Sequence, residues 1–152
     1  MSLAKAMAVG RKRRRQGRLW PMPVRETDLG HIYADVTVRP TVGSRKKWIA
    51  PMLLDTGATD TFVPASVLRK LGIKPVGRRP YEMADGTEHV LPYGVGVVEI
   101  LGEVTGRSLV FADEKSEPLL GVTVLESAGF WIDPKGERLI PRTPKLKRGQ
   151  EP

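Results

Sequence analysis

Met52-Leu53-Leu54-Asp55-Thr56-Gly57-Ala58-Thr59-Asp60-Thr61-Phe62-Val63 is the stretch on which the reading of this chain turns. An apolar run that begins at Trp48 stops abruptly at a carboxylate, and Pro51 within it favours a buried strand over a helix, because proline removes a helical hydrogen bond. An acidic side chain at the end of a buried strand sheds part of its hydration at a free-energy cost, so its placement calls for a reason. Asp-Thr-Gly is also a common turn sequence, and those three residues alone do not supply that reason.

The flanking sequence adds context on both sides. Downstream, Pro64-Ala65-Ser66-Val67-Leu68-Arg69-Lys70-Leu71 opens with proline and is closed by Gly72, the order of a short helix with Val67, Leu68 and Leu71 on its apolar face. Upstream, Ile32, Ala34, Val36 and Val38 alternate with Tyr33, Asp35, Thr37 and Arg39, the period of a strand with one buried face. Tyr81-Glu82-Met83-Ala84 and residues 87–98 flank Asp85-Gly86, which predicts a tight hairpin. Residues 104–111 read as a further strand, Asp113-Glu114 as a turn and Pro118-Leu119-Leu120 as a short strand. Thr123 and Glu126 have capping-box spacing, so a second helix is expected to start at Thr123 and to stop at Gly129. Residues 130–133 close the pattern, Pro134-Lys135-Gly136 turns the chain, and Arg138-Leu139-Ile140 pairs back. About seven short strands and two helices of barely two turns make an all-β fold class. There is also an internal echo: Leu53-Leu54 precedes a loop and a helix ending Leu71-Gly72, and Leu119-Leu120 precedes a helix ending Ala128-Gly129.

A length of 152 residues predicts one domain, and 40% hydrophobic with 28% charged residues is ordinary globular composition. No run approaches the ~18 apolar residues that cross a bilayer, so no membrane partner is expected. The absence of cysteine removes disulfides, Cys-based zinc sites and thiol nucleophiles, and suits a cytoplasmic location. The formal charge of +8 is concentrated at the ends. Residues 1–21 hold seven bases and no acid, residues 142–152 four bases and one acid, and the stretch between them fourteen bases and sixteen acids. The chain therefore divides into a disordered basic arm (1–21), a domain (22–141) and a basic tail (142–152). Residues 11–18 could hold a nucleic acid by phosphate contacts, although such a run is more often a solvated tail. The arm's charges follow the apolar stretch at residues 1–9 instead of preceding a longer one, which argues against a targeting signal.

Most catalytic equipment is missing. His31 and His89 are the only histidines, and neither has a partner at zinc-helix spacing. There is no nucleophile elbow, phosphate-binding loop or dinucleotide fingerprint. The carboxylates remain. From Met52 to Val63 the sequence resembles the active-site signature of aspartic peptidases. Pro118-Leu119-Leu120-Gly121 resembles that family's second hallmark, two hydrophobics and a glycine before the carboxy-terminal helix. Order and spacing over residues 31–141 resemble the retropepsin-like aspartic proteases, in particular their small bacterial-type members.

That resemblance implies a retropepsin-like closed β-barrel half-site with two short helices, forming a homodimer. Aspartic peptidases use two adjacent carboxylates that share a proton. A chain with one Asp-Thr-Gly completes the pair only by meeting a second copy across a two-fold axis, Asp55 facing Asp55. The implied catalytic residues are Asp55, Thr56 and Gly57, with Thr56 tying the two loops together. The implied substrate-binding residues are Ala58, Thr59 and Asp60, with Ala84, Asp85 and Gly86 at the tip of a flap over a bound peptide. No metal or organic cofactor is implied. Thr59 and Val122 depart from the retroviral pattern, in which an Asp and an Arg pair near the dimer interface. Removing one partner of a buried pair strands a charge at a cost of ~3–5 kcal/mol, whereas exchanging both can be neutral, so the joint change is coherent. The alternatives are a catalytically silent version of the fold whose basic arms bind RNA or another acidic partner, and a small basic β protein with a coincidental Asp-Thr-Gly.

Overall fold

The computed structural model describes residues 31–133 and 138–142, together with the backbone of three short strands further upstream. The expected disordered arm and basic tail, and the turn at Pro134-Lys135-Gly136, lie wholly or largely outside the described residues. The upstream strands are β1 (Arg14–Arg15), which pairs with β2 (Arg18–Leu19), and β3 (Val24–Glu26). β3 lies against β4 (Ile32–Arg39), where the expected alternation is realised: Ile32, Ala34, Val36 and Val38 are all buried.

A short loop leads to β5 (Trp48–Asp55), antiparallel to β4. This strand is less buried than the apolar run suggests. Met52 and Leu54 are enclosed, but Ile49 and Pro51 point outward, because only the inward face of a strand meets the core. Proline is accommodated here because a strand, unlike a helix, tolerates its fixed φ. The chain next forms β6 (Thr61–Pro64), a strand missing from the expected seven, and enters helix α1 (Ala65–Lys70). No side chain of the preceding residues caps α1, and Glu114 does so from a distant turn: the Ser66 amide and hydroxyl both donate to its carboxylate at 2.7 Å. β7 (Gly77–Glu82) and β8 (Glu88–Ile100) form the expected hairpin, with β7 starting four residues earlier than the sequence suggests. β9 (Glu103–Ala112) returns along β8 and runs parallel to β6.

β10 (Leu119–Gly121) is then inserted between β5 and β6. Helix α2 (Val122–Ser127) follows, and β11 (Phe130–Asp133) pairs with β12 (Arg138–Pro141). The main sheet runs β3-β4-β5-β10-β6-β9-β8-β7, and β4 also pairs with β8, so the ladder of six strands from β4 round to β8 returns to β4. Among the described residues the fold is thus mainly β with two short helices. Met52, Leu68, Leu109, Leu120, Leu125 and Phe130 are fully buried and bring both helices onto the sheets' inner faces.

The internal echo has a structural basis. Leu53 and Leu54 lie in parallel register with Leu119 and Leu120, and the two helices end with the same pair of backbone bonds. Those bonds run from Leu71 to Val67 and Gly72 to Arg69 in one helix, and from Ala128 to Val124 and Gly129 to Glu126 in the other. The capping box expected at Thr123 does not form. α2 starts one residue earlier, its N-cap is Gly121, and no side-chain oxygen caps it, because Thr123 is engaged elsewhere. Among the described residues no helix is long and apolar enough to cross a membrane.

Candidate active site

Asp55 is the last residue of β5, half-buried, and sits in parallel register with Gly121 of β10. Its Oδ1 accepts the Gly57 amide at 2.8 Å, and its carbonyl accepts the Ala58 amide at 3.3 Å, which folds Asp55-Thr56-Gly57 into a tight turn. The turn holds the carboxylate at the strand end, and Thr56 and Gly57 are exposed on it.

The loop is fastened to the start of α2. Val122 donates its amide to the Ala58 carbonyl at 2.8 Å, and Thr123 donates its hydroxyl to the Thr59 carbonyl at 2.7 Å and its amide to the same oxygen at 3.4 Å. Thr59 and Val122 therefore meet the opposite element through backbone groups. The Thr123 hydroxyl is the group that the capping-box spacing misassigned. Behind the loop the buried Thr61 hydroxyl accepts the Gly121 amide at 3.0 Å, so both hallmark segments are joined inside the core.

Gly121 is required by close approach. A Cβ there would lie 2.4 Å from the Asp60 carbonyl oxygen and 2.5 Å from that of Thr59. Backbone oxygens cannot swing aside as a side-chain end can. Gly121→Ala is expected to lower stability by about 3 kcal/mol or more, read from the urea unfolding midpoint, and a loss below ~1 kcal/mol would contradict this packing.

Asp60, at the far end of the loop, meets the stem of the β7–β8 hairpin. Its Oδ2 accepts the Tyr81 hydroxyl at 2.7 Å and, more distantly, Arg79 Nη1 at 3.4 Å. The Phe62 ring packs edge-on against Tyr81 at 5.2 Å, and the Arg79 guanidinium lies 3.9 Å over the Tyr93 ring. Tyr81 and Arg79 were not among the residues singled out from the sequence; the period-two pattern of β7, which puts Gly77, Arg79 and Tyr81 on one half-buried face, is the signal that could have found them.

Partial burial, and secondarily the bond to Asp60, push the Tyr81 phenol up to about 12 from its ordinary value of 10.0. The fold thus favours the neutral phenol, and this contribution is fully present below pH 10. Between pH 10 and 12 the unfolded chain loses its proton first, so stability falls as pH rises. Tyr81→Phe should make the drop in urea midpoint from pH 9 to pH 11 shallower than in the wild type, and identical slopes would show that Tyr81 does not titrate in this way.

Ala84, Asp85 and Gly86 form the exposed tip of the same hairpin. The Met83 carbonyl accepts the Gly86 amide at 2.9 Å and the Thr87 carbonyl accepts the Met83 amide at 2.7 Å, which defines a three-residue loop with Gly86 at φ +84. Asp85 does not share that positive φ. Its Oδ1 accepts the Thr87 hydroxyl at 2.6 Å and amide at 2.9 Å, and these bonds hold its carboxyl below the usual range. The structure thus gathers Asp55, Thr56, Gly57, Ala58, Thr59 and Asp60 on one loop and joins that loop to the hairpin at its stem.

An Asp-Thr-Gly turn at the end of one strand, a Leu-Leu-Gly strand threaded beside it and a hairpin leaning on the loop define the retropepsin-like class of aspartic proteases. The model of the family described as "gag-polyprotein putative aspartyl protease" matches residues 46–127, more than half of the chain, and the chain belongs to that family. Among solved structures, a retropepsin-like aspartic protease from Rickettsia conorii is similar to it with a TM-score of 0.53 and 22% identity, over 78% of this chain and 86% of that one. A search of curated proteins finds no match.

Proposed function

We propose that the chain is an aspartic endopeptidase that works as a homodimer, with Asp55 of each copy supplying one carboxylate of a shared pair. The observation that carries this reading is the Asp55 carboxylate itself, set at the end of β5 on a turn that leaves Thr56 and Gly57 exposed at the surface of a single chain. In the proposed reaction one carboxylate takes a proton from water, whose oxygen attacks the peptide carbonyl, while the other, protonated, gives its proton to the carbonyl oxygen. Collapse of the tetrahedral intermediate then expels the amine, which takes up the proton held by the first carboxylate, while one hydroxyl of the intermediate returns a proton to the second as the carbonyl re-forms. The exposed Thr56 would meet its counterpart between the two loops. Ala58, Thr59 and the second oxygen of Asp60 would contact the peptide backbone, and Ala84, Asp85 and Gly86 would close over it.

The test is incubation of the full chain with a mixed-sequence peptide library, with new amino termini read by mass spectrometry. Cuts at defined positions support the reading. An intact library at micromolar enzyme, with the dimer present, would overturn it.

A further inference from the structure

The loop that carries Asp55 is fastened on two sides. On one side the Ala58 and Thr59 carbonyls bind the start of α2. On the other, Asp60 binds Tyr81 and Arg79 of β7, five positions beyond Asp55. The second fastening has features of a fixed joint and not of a chance surface contact. The Tyr81 hydroxyl bond has good geometry at 2.7 Å, and the ring packs edge-on against Phe62. Arg79 is held over Tyr93, and a Cβ on Gly77 would come 2.7 Å from that ring, so the glycine opposite Tyr93 makes room for it to lie across β7. Tyr81 and Arg79 of β7, packed in turn against Phe62 of β6 and Tyr93 of β8, thus meet on one carboxylate whose side chain is only 18% exposed. The hairpin tip makes its own bonds internally, and the Asp60 contact is where the hairpin stem meets the catalytic loop.

We propose that Asp60 and Tyr81, steadied by Arg79, are positioning residues that latch the flap stem to the catalytic loop and so set the closed geometry of the cleft. This rests on the peptidase reading above. Opening the latch costs closure and not chemistry, so its signature is a rise in KM with kcat little changed.

Three variants separate the latch from a merely structural role. Tyr81→Phe removes the donor, Asp60→Ala removes the acceptor, and Asp60→Asn keeps an oxygen able to accept the Tyr81 hydroxyl. In the substrate-free protein, amide hydrogen exchange in the β7–β8 stem should be about tenfold faster in the first two and near wild type in Asp60→Asn, with β4 and β5 unchanged. KM for a cleaved peptide should rise about tenfold in Tyr81→Phe and further in Asp60→Ala, which also loses the proposed contact of Asp60 with the peptide, and the double variant Asp60→Ala/Tyr81→Phe should be no worse than Asp60→Ala alone. Stem exchange at the wild-type rate in Tyr81→Phe, or fully additive effects in the double variant, would overturn the latch. If Asp60→Ala fails to fold, the Tyr81→Phe exchange decides the matter alone. The exchange arm needs no substrate: accelerated exchange with no peptide cut by the wild type would sink the peptidase reading and leave the latch standing, and cleavage with unchanged exchange would do the reverse.

Discussion

Asp55→Asn is expected to fold and assemble as the wild type does and to lose turnover by at least ~10³-fold, the scale at which a general acid–base group contributes. The side chains are nearly isosteric, and the asparagine oxygen can still accept the Gly57 amide that shapes the turn, now held at 2.8 Å by Oδ1. What the amide cannot do is take a proton from water or share one with its twin. Initial rates of peptide cleavage on protein matched for circular dichroism and sedimentation would measure the effect. Activity within tenfold of wild type would remove Asp55 from the mechanism.

The second large effect is on concentration. If each chain brings one carboxylate, a monomer has half a site, and specific activity should collapse as the protein is diluted through the dimer dissociation constant. Well below that constant, a tenfold dilution lowers the rate about a hundredfold, because dimer concentration follows the square of chain concentration. Sedimentation at the same concentrations should show the dimer disappearing in step. A sedimenting monomer with full specific activity would contradict a shared site.

Much of the fold was legible because it follows from local periodicity. The alternation from Ile32 to Val38 and the stop at Gly129 needed no knowledge of distant residues, and both elements are present. The Leu53-Leu54 and Leu119-Leu120 echo was visible too, although only the structure shows that the two segments lie side by side. The misses have a common cause. β6 is four residues long and hides between a turn and a helix, too short for a period to declare itself. Thr123 has the spacing of a cap, but its hydroxyl goes to the carbonyl of Thr59, 64 positions away in the chain. Likewise the bond between Asp60 and Tyr81, 21 positions on, has no local signal in the chain. A local period can mark which face a polar side chain lies on but not which distant residue it meets, whereas the Asp-Thr-Gly turn at the strand end is wholly local.

The central claim is a single cleft built from two chains. It is tested most directly by titrating the full-length protein, above its dimer dissociation constant, with a statine-type transition-state mimic and counting bound inhibitor by calorimetry. The account predicts saturation at one inhibitor for every two chains, with the Asp55→Asn variant binding far more weakly. Saturation at one inhibitor per chain, or equal binding by Asp55→Asn, would contradict it.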